Sequence, residues 1–319
     1  MSPIRMKRWV VLQGAGMFVL SGGLLFLRSA TFLFWAIGHG HEPIAKMAFL
    51  TIASVNARGP ENRTPLMEAA FRQKPEMVRF LLFHNADWTA ADEQGLQAIH
   101  YASDVGSARQ LLERGADVNA RDKFGTTPLM QAAWDAQTAV VEFLLLHGAT
   151  INATDDTGLQ ALHRAAQNWQ EDGSTVKLLL EYGADPDALS AYKETPLLRA
   201  VSGFNGGTAA NALAILARSR DINEQDSETG DTALLIATTD SQSAVFSGLL
   251  QAGANPNLAN HHGDRPIHFA AMNELNDRVD ELLNHGADPC AKGSDGLSAR
   301  DIAKSKPTSG NLKFTICKV

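Results

Sequence analysis

The sequence predicts an all-α solenoid of about seven short helical hairpins with caps, and two observations lead to this fold class. One 33-residue unit, Asp122 to Thr154, contains each signal that a helix–turn–helix hairpin needs. Units with the same signals recur along most of the chain, at spacings of 33, 30, 33, 35, 37, 33 and 33 residues. Because a hairpin of this size cannot bury its apolar face alone, we expect the copies to stack on one another.

The unit from Asp122 to Thr154 shows how each hairpin is built. Thr127 can cap the first helix, and Pro128 follows it at the first helical position, where a missing N–H costs nothing. The second helix has one apolar face, formed by Val140, Val141, Leu144 and Leu145. Gly148 then ends this helix in the left-handed conformation, which glycine adopts most readily.

The other units repeat these helix start and stop signals at equivalent positions. The first helical residue is Pro or Ala in every unit: Pro65, Ala98, Pro128, Ala161, Pro196, Ala233, Pro266 and Ala299. The helix-ending glycine recurs as Gly115, Gly148, Gly183, Gly253 and Gly286, and Asn85 takes its place in the first unit. The fifth unit ends at Ser219 without a glycine, which predicts an unfavourable positive φ at that serine.

Two stretches of each unit resemble the ankyrin repeat family, whose unit contains T-P-L-H-x-A-A and ends in G-A-D-x-N. The first stretch reads TPLMEAA from Thr64 and RPIHFAA from Arg265, and the second reads GADVNAR from Gly115. The resemblance covers about residues 41–305. It implies a helical solenoid that binds proteins and has no enzymatic activity, and it implies that the motif histidines hydrogen-bond within and between units. These are His100, His163 and His268.

The N-terminus combines a basic start with a long apolar run. Residues 1–8 are basic, and the 19 residues from Trp9 to Leu27 carry no charge. A helix of that length spans roughly 28 Å, close to the hydrocarbon thickness of a bilayer. We interpret residues 9–37 as a transmembrane signal anchor, with a cleaved secretory signal and a buried helix as alternatives. Since the basic residues come first, the N-terminus should be cytoplasmic and the repeats extracytoplasmic, in the periplasm if the cell is bacterial.

This interpretation divides the rest of the chain into three parts. Residues 38–58 are a linker and a degenerate N-terminal capping repeat, residues 59–305 the repeat domain, and residues 306–319 a C-terminal tail. Cys290 and Cys317 could pair in an oxidising compartment or remain as two free thiols.

Charge and motifs exclude several classes of function. The net charge is −7, and the first 40 residues hold four basic and no acidic residues, so the repeats are more acidic still. An acidic array does not provide the basic stripe that nucleic acid requires, but it suits a protein partner with a basic face. We find no catalytic arrangement or phosphate loop and expect no cofactor. His39 and His41 beside Glu42 fit a membrane interface better than a metal site.

Candidate binding residues lie at positions that are not needed to pack the core of the solenoid. Large aromatic residues occupy turns and the ends of first helices: Phe71, Phe124, Trp134, Trp169 and Tyr192. They are candidate hot spots, unless they pack beneath the lengthened loops, as we consider most for Trp169. Acidic residues at similar positions would form a rim, or are solvated charges: Asp104, Asp135, Glu228, Asp231 and Asp264.

The sequence therefore predicts a non-enzymatic, membrane-tethered array that holds a protein partner outside the cytoplasm. One specific form is an immunity protein that blocks a toxic effector delivered by a neighbouring cell. The alternatives are a periplasmic scaffold or chaperone for another enzyme, for example in oxidative-stress defence, and a structural spacer that assembles through itself.

Overall fold

The computed structural model describes residues 11–12, 17–18, 30–43, 45–46, 54–169, 172–202, 208–240 and 243–305. The chain divides into two compact units, Met1–Lys123 and Phe124–Val319. Both are built from helical repeats, which we number 1 to 7 by their first-helix positions at Pro65, Ala98, Pro128, Ala161, Pro196, Ala233 and Pro266. Repeats 1 and 2 belong to unit 1, and repeats 3 to 7 belong to unit 2.

The described part of unit 1 contains α-helices and one short 3-10 helix, and residues 42–43 and 45–46 are also helical. The α-helices are Ala30–Gly38, Pro65–Phe71, Pro75–Phe83 and Val105–Glu113, and the 3-10 helix is Pro60–Asn62. Repeat 2 has no α-helix at its first-helix position, where residues 98–101 form a tight turn. This follows from its length, since only 30 residues separate Ala98 from Pro128 and the first helix loses about one turn.

Unit 2 contains five complete hairpins and a C-terminal cap of one helix. The first helices are Pro128–Trp134, Ala161–Ala166, Pro196–Val201, Ala233–Thr239 and Pro266–Met272. The second helices are Thr138–Leu146, Ser174–Glu181, Ala209–Leu216, Ser243–Gln251 and Asn276–Asn284. The cap is Ala299–Lys304, as the sequence predicts. Neighbouring first helices pack on each other over buried alanines and leucines, which include Ala165, Leu162 and Ala200.

The predicted helix signals are confirmed at both ends. The Thr127 side chain accepts a hydrogen bond from the Met130 N–H at 3.3 Å. The five helix-ending glycines have φ between +86° and +93°, and Asn85 has φ +63°. The expectation for Ser219 is wrong, because none of residues 217–220 has a positive φ. Instead, the backbone N–H and the hydroxyl of Ser219 both donate to the carbonyl of Ile215, so the serine side chain replaces the glycine turn.

The helix Ala30–Gly38 lies within the predicted anchor but packs against the first repeat. It packs on Pro65–Phe71, with Phe34, Ala36 and Ile37 buried. An apolar stretch that the sequence assigns to the membrane thus serves as the first helix of a capping repeat, because protein and lipid select the same apolar side chains. The predicted anchor at residues 9–37 therefore overlaps the cap.

The tail of this capping repeat is also in place. Asn56 Oδ1 accepts from the Asp87 N–H at 2.9 Å. Equivalent bonds in unit 2 join Asn152 to the Asp185 N–H and Asn223 to the Asn255 N–H, at 3.2 and 2.8 Å. Asn56 thus makes the same contact that the asparagines at the ends of repeats make in unit 2.

The rest of the predicted anchor differs from a single helix where it is described. Val11–Leu12 and Met17–Phe18 pair as short antiparallel strands, and the intervening Gly14 and Gly16 are poor helix formers. Most of the run from Trp9 to Leu27 lies outside the described residues, as do residues 1–8 and 306–319. Within the described part of the chain, no helix has both the length and the apolarity to cross a membrane.

Candidate protein-binding surface

The motif histidines fix the turns that carry the candidate surface, as the resemblance implies. In His100, His163 and His268, Nδ1 accepts a bond of 3.0–3.2 Å from the backbone N–H three residues earlier. Each Nε2 lies 2.8–3.1 Å from a carbonyl of the following turn; the carbonyls are those of Ala120, Ala188 and Ala291. Each ring therefore accepts at Nδ1 and donates from Nε2, which links the start of its own repeat to the turn that follows.

The turn tips of unit 2 lie side by side along a backbone ladder. The Asp156 N–H donates to the Phe124 carbonyl, and the Ala191 N–H donates to the Thr157 carbonyl, both at 2.9 Å. The Ser227 N–H continues the ladder to the Tyr192 carbonyl at 2.9 Å. The ladder uses the backbone, and the side chains of Phe124 and Tyr192 are 60% and 55% exposed.

Two tryptophans project from the ends of adjacent first helices in repeats 3 and 4. Trp134 is the last residue of Pro128–Trp134 and is 40% exposed. Trp169 follows Ala161–Ala166 and is 67% exposed, so it does not pack beneath the lengthened loop. The Asn168 Nδ2 donates to the Trp134 carbonyl at 2.6 Å, which brings the two tryptophan-bearing segments together. We call Phe124, Trp134, Trp169 and Tyr192 the aromatic face.

Two arginines that the sequence analysis missed lie on the first helices of repeats 4 and 5. Arg164 pairs with Asp155 at 2.7 Å, and its guanidinium carbon is 6.0 Å from the centre of the Trp134 ring. Arg199 pairs with Glu194 at 2.6 Å and donates to Gln167 at 3.0 Å. Each arginine comes directly after the motif position that His163 occupies in repeat 4. An arginine at this place in the motif is the signal that could have identified both.

The Asp155 carboxylate is held in its charged form by its contacts. Burial raises the pKa of Asp155, but hydrogen bonds from Thr157, Arg164 and Leu159 outweigh this effect and lower the pKa below its ordinary value. Asp155 therefore neutralises Arg164 over the neutral pH range, and Trp134 rests against an arginine whose charge is already balanced.

Most residues of the predicted acidic rim form hydrogen bonds with other residues of this protein. Asp104 caps the helix Val105–Glu113 by accepting from the Ser107 N–H at 2.9 Å. Asp135 and Asp231 accept from the side-chain amides of Gln131 and Asn260, at 2.9 and 3.0 Å.

The remaining two acidic candidates differ from each other. Asp264 accepts from the Ser294 N–H at 2.9 Å and so helps to join successive turns. Glu228 is exposed on a turn tip, where its backbone N–H donates to Asp226. Of the five, Glu228 fits the predicted rim best.

Phe71 belongs to a separate aromatic cluster in unit 1. It is 45% exposed and meets the Tyr101 ring edge-on, with ring centres 6.3 Å apart. The Arg63 guanidinium carbon lies 4.9 Å from the Tyr101 ring centre and 5.9 Å from that of Phe71. The structure thus places four of the predicted aromatic residues, all exposed, on repeats 3 to 5 of unit 2 and the fifth in unit 1.

The fold and this surface define a helical repeat protein with exposed turn tips and exposed aromatic side chains. The family described as "Ankyrin repeats (3 copies)" matches six overlapping segments: residues 9–92, 33–122, 69–155, 99–190, 129–224 and 197–293. These matches cover most of the chain, and the protein belongs to the ankyrin repeat family. Ankyrin repeats are protein–protein interaction modules, so the coarse function predicted from the sequence is confirmed.

Three curated relatives from different organisms align with parts of the chain. The B-cell lymphoma 3 protein homolog of Mus musculus is 34% identical over 158 residues, which are 47% of this chain and 35% of that protein. The E3 ubiquitin-protein ligase KEG of Arabidopsis thaliana is 26% identical over 82% of this chain and 19% of its own length. The neurogenic locus notch homolog protein 1 of Danio rerio is 32% identical over 54% of this chain and 7% of its own length. The chain thus spans about a third or less of each relative.

Proposed function

We propose that the protein binds a partner protein through the aromatic face of unit 2. The observation that carries this proposal is the exposure of four large rings, from 40% to 67%, on three consecutive repeats. The fold needs only a polar residue at these positions. Rigid aromatic side chains bury a large area at low entropic cost when a partner covers them, which makes them typical anchors of protein interfaces.

The charges around the aromatic face favour a partner with a basic surface. The arginines on its first helices, Arg164 and Arg199, are paired with Asp155 and Glu194, so they contribute little net positive charge. The chain as a whole carries a net charge of −7. A basic partner would therefore be attracted to this protein by its net negative charge, and Arg164 and Arg199 would not repel it because both are paired with carboxylates.

The partner can be identified by photo-crosslinking from the surface itself. We would replace Tyr192 by p-benzoyl-phenylalanine in the full chain, which exchanges one aromatic ring for another, and irradiate the protein in its own cells. Tyr182 offers a matched control, since it is 40% exposed at the end of a second helix of the same unit. A protein crosslinked from position 192 and absent from position 182 is the partner to be used in the binding tests.

Truncating two rings of the aromatic face should abolish most of the binding. We expect Phe124→Ala with Trp134→Ala to weaken the affinity at least about 30-fold, because the loss of even one hot-spot side chain costs about 2 kcal/mol. The unfolding midpoint should fall by about 4 °C or less, since both rings are substantially exposed. Titration calorimetry and thermal denaturation measure the two effects.

A control for this double variant is Leu146→Ala, because Leu146 is an apolar residue, 66% exposed, on the second helix of repeat 3. It should leave the affinity unchanged. Binding that survives the double variant, or that falls equally with the control, contradicts the proposed surface.

An extracytoplasmic, membrane-tethered location belongs to the same proposal. Two observations support it: the uncharged run from Trp9 to Leu27, and the participation of Cys290 in a disulfide bond. Cys317 is the only other cysteine of the sequence. Structural disulfides are typical of compartments outside the reducing cytosol.

The disulfide provides a direct test of this location. When the protein is isolated from its own cells with its thiols trapped by acid, a maleimide-linked polymer should label it only after reduction. The Cys290→Ser variant should expose one thiol without reduction. Full labelling of the wild-type chain before reduction would mean that the protein resides in a reducing compartment, and the proposed location would be wrong.

The specific role that we propose is to neutralise a toxic effector that arrives from a neighbouring cell, because a binding module placed outside the cytoplasm meets such a protein first. Deletion of the gene should then make cells sensitive to their siblings, and the crosslinked partner should be the toxin. A resident enzyme as the crosslinked partner would favour the scaffold or chaperone role instead. A second copy of this chain would favour the structural spacer.

A further inference from the structure

A buried asparagine in repeat 5 binds the end of the first helix of repeat 4. Asn211 is fully buried on the helix Ala209–Leu216, and its Nδ2 lies 3.2, 3.4 and 2.9 Å from the carbonyls of Ala165, Ala166 and Asn168. The last carbonyls of a helix have no partner within the helix, so a donor from another repeat satisfies them. Asn211 thus fixes the backbone where the chain leaves the helix, one residue before Trp169.

The same arrangement recurs two repeats later with a different residue. Arg278, at the equivalent position of its helix, donates to the carbonyls of Ala237, Thr238 and Asp240. These carbonyls occupy the same positions relative to their helix as those that Asn211 binds. The end of a first helix is therefore a recurring contact point in unit 2, and the residue that donates to it differs between repeats.

Repeat 4 adds a second step to this contact. Asn168, whose carbonyl accepts from Asn211, donates through its own Nδ2 to the carbonyl of Trp134 at 2.6 Å. The bonds Asn211 to Asn168 and Asn168 to Trp134 link three consecutive repeats. These bonds hold the backbone beside both tryptophans. The accepting carbonyl of the second bond belongs to Trp134, and Trp169 is the residue after Asn168.

We propose that Asn168, supported by Asn211, is a positioning residue that holds Trp134 and Trp169 in one fixed arrangement for the partner. The proposal rests on the binding function of the aromatic face. Trp169 is 67% exposed, so packing alone does little to immobilise it. A side chain carried by a backbone segment that is already fixed before the partner arrives loses less conformational entropy on binding, and affinity rises accordingly.

The test is Asn168→Ala in the full chain, with Asn273→Ala as the matched control. Asn273 follows the first helix of repeat 7, and its Nδ2 donates at 2.9 Å to Phe269 within its own repeat. We expect Asn168→Ala to lower the NMR order parameter of the Trp169 backbone N–H from about 0.85 to below about 0.6. The control should leave it unchanged. This measurement needs no partner, so it separates failure of this inference from failure of the binding function.

With the crosslinked partner in hand, a double-mutant cycle tests the link to binding. Asn168→Ala should weaken the affinity about tenfold in the wild-type chain and have no further effect in a Trp169→Ala background, because its influence passes through that ring. Equal losses in both backgrounds, or an unchanged order parameter, would overturn the inference. Asn211→Leu provides a second test and should produce the same change at Trp169 if the variant folds.

Discussion

Lowering the pH from 7 to 4 is expected to destabilise unit 2 by about 3 kcal/mol through the His163 imidazole alone. This ring is completely buried, and burial lowers its pKa from 6.5 to about 4, although hydrogen bonds to the carbonyls of Glu194 and Ala188 act in the opposite direction. Its Nδ1 accepts from the Gln160 N–H at 3.2 Å, a bond that only the unprotonated nitrogen can make. The folded protein therefore requires the neutral ring.

The direction of the effect follows from the two pKa values. Below pH 6.5 the unfolded chain binds a proton at His163 that the folded protein does not bind until about pH 4. Stability contributed by the neutral ring is thus complete above pH 6.5, is lost as the pH falls to about 4, and changes no further below that. One pH step within this window corresponds to about 1.36 kcal/mol, which gives the total of about 3 kcal/mol.

Urea denaturation of wild type and His163→Gln between pH 4 and pH 7.5 measures this contribution. The variant should be less stable than wild type at pH 7, and the gap between them should shrink as the pH falls. His285→Gln is the control, since His285 is exposed on the surface of the same unit and should show no such change. Parallel stability curves for wild type and His163→Gln would show that the buried ring does not couple folding to pH.

Local signals in the sequence were sufficient for the hairpins, because each signal and its target lie within a few residues. Thr127 caps a backbone N–H three residues on, and Gly148 ends its helix through its own φ. The histidines were predicted from the family motif, which already encodes their partner in the next repeat. The exposure of Phe124 and Trp134 followed from the same register, since the motif defines which positions face away from the core.

Contacts between distant residues could not be read from the sequence in the same way. Asn211 and Asn168 are 43 residues apart, and the pair of Arg164 with Asp155 depends on how a turn folds back on its helix. Several geometries are compatible with any one of these side chains, and only the stacked backbone selects among them. A residue's type then indicates that it can form a hydrogen bond but not which partner it has.

Two features of the sequence are each compatible with two physical explanations. Asp104 stands directly before a helix, where a carboxylate caps the N-terminus as readily as it would face a basic partner. The apolar residues of Ala30–Gly38 suit a bilayer, but they also suit the neighbouring helix on which they pack. Apolar side chains are removed from water equally well by lipid and by protein, so hydrophobicity alone does not distinguish the two.

Replacing Arg278 by methionine is expected to cost about 3 kcal/mol and to loosen repeat 7 from repeat 6. The guanidinium donates to three carbonyls at the end of the first helix of repeat 6 and lies 5.0 Å from the centre of the Phe246 ring. A hydrogen bond from a charged donor contributes about 1.5–3 kcal/mol to stability. Because Arg278 is partly exposed to water, its three hydrogen bonds together contribute well below the sum of three such values. Methionine retains an apolar stem of similar length but leaves all three carbonyls without this donor.

The effect should be local because each repeat contacts only its neighbours. Amide exchange should accelerate in the helix Asn276–Asn284 and remain unchanged in the helix Thr138–Leu146, four repeats away. Arg278→Lys should fall between wild type and methionine, since one ammonium group cannot reach three carbonyls in the planar geometry of a guanidinium. Arg218→Met, at an exposed arginine of repeat 5, is the control for loss of charge and should change the unfolding free energy by less than about 0.5 kcal/mol. If the two methionine variants are equally stable, the carbonyl contacts do not hold these repeats together, and shape complementarity of the apolar faces accounts for the stacking.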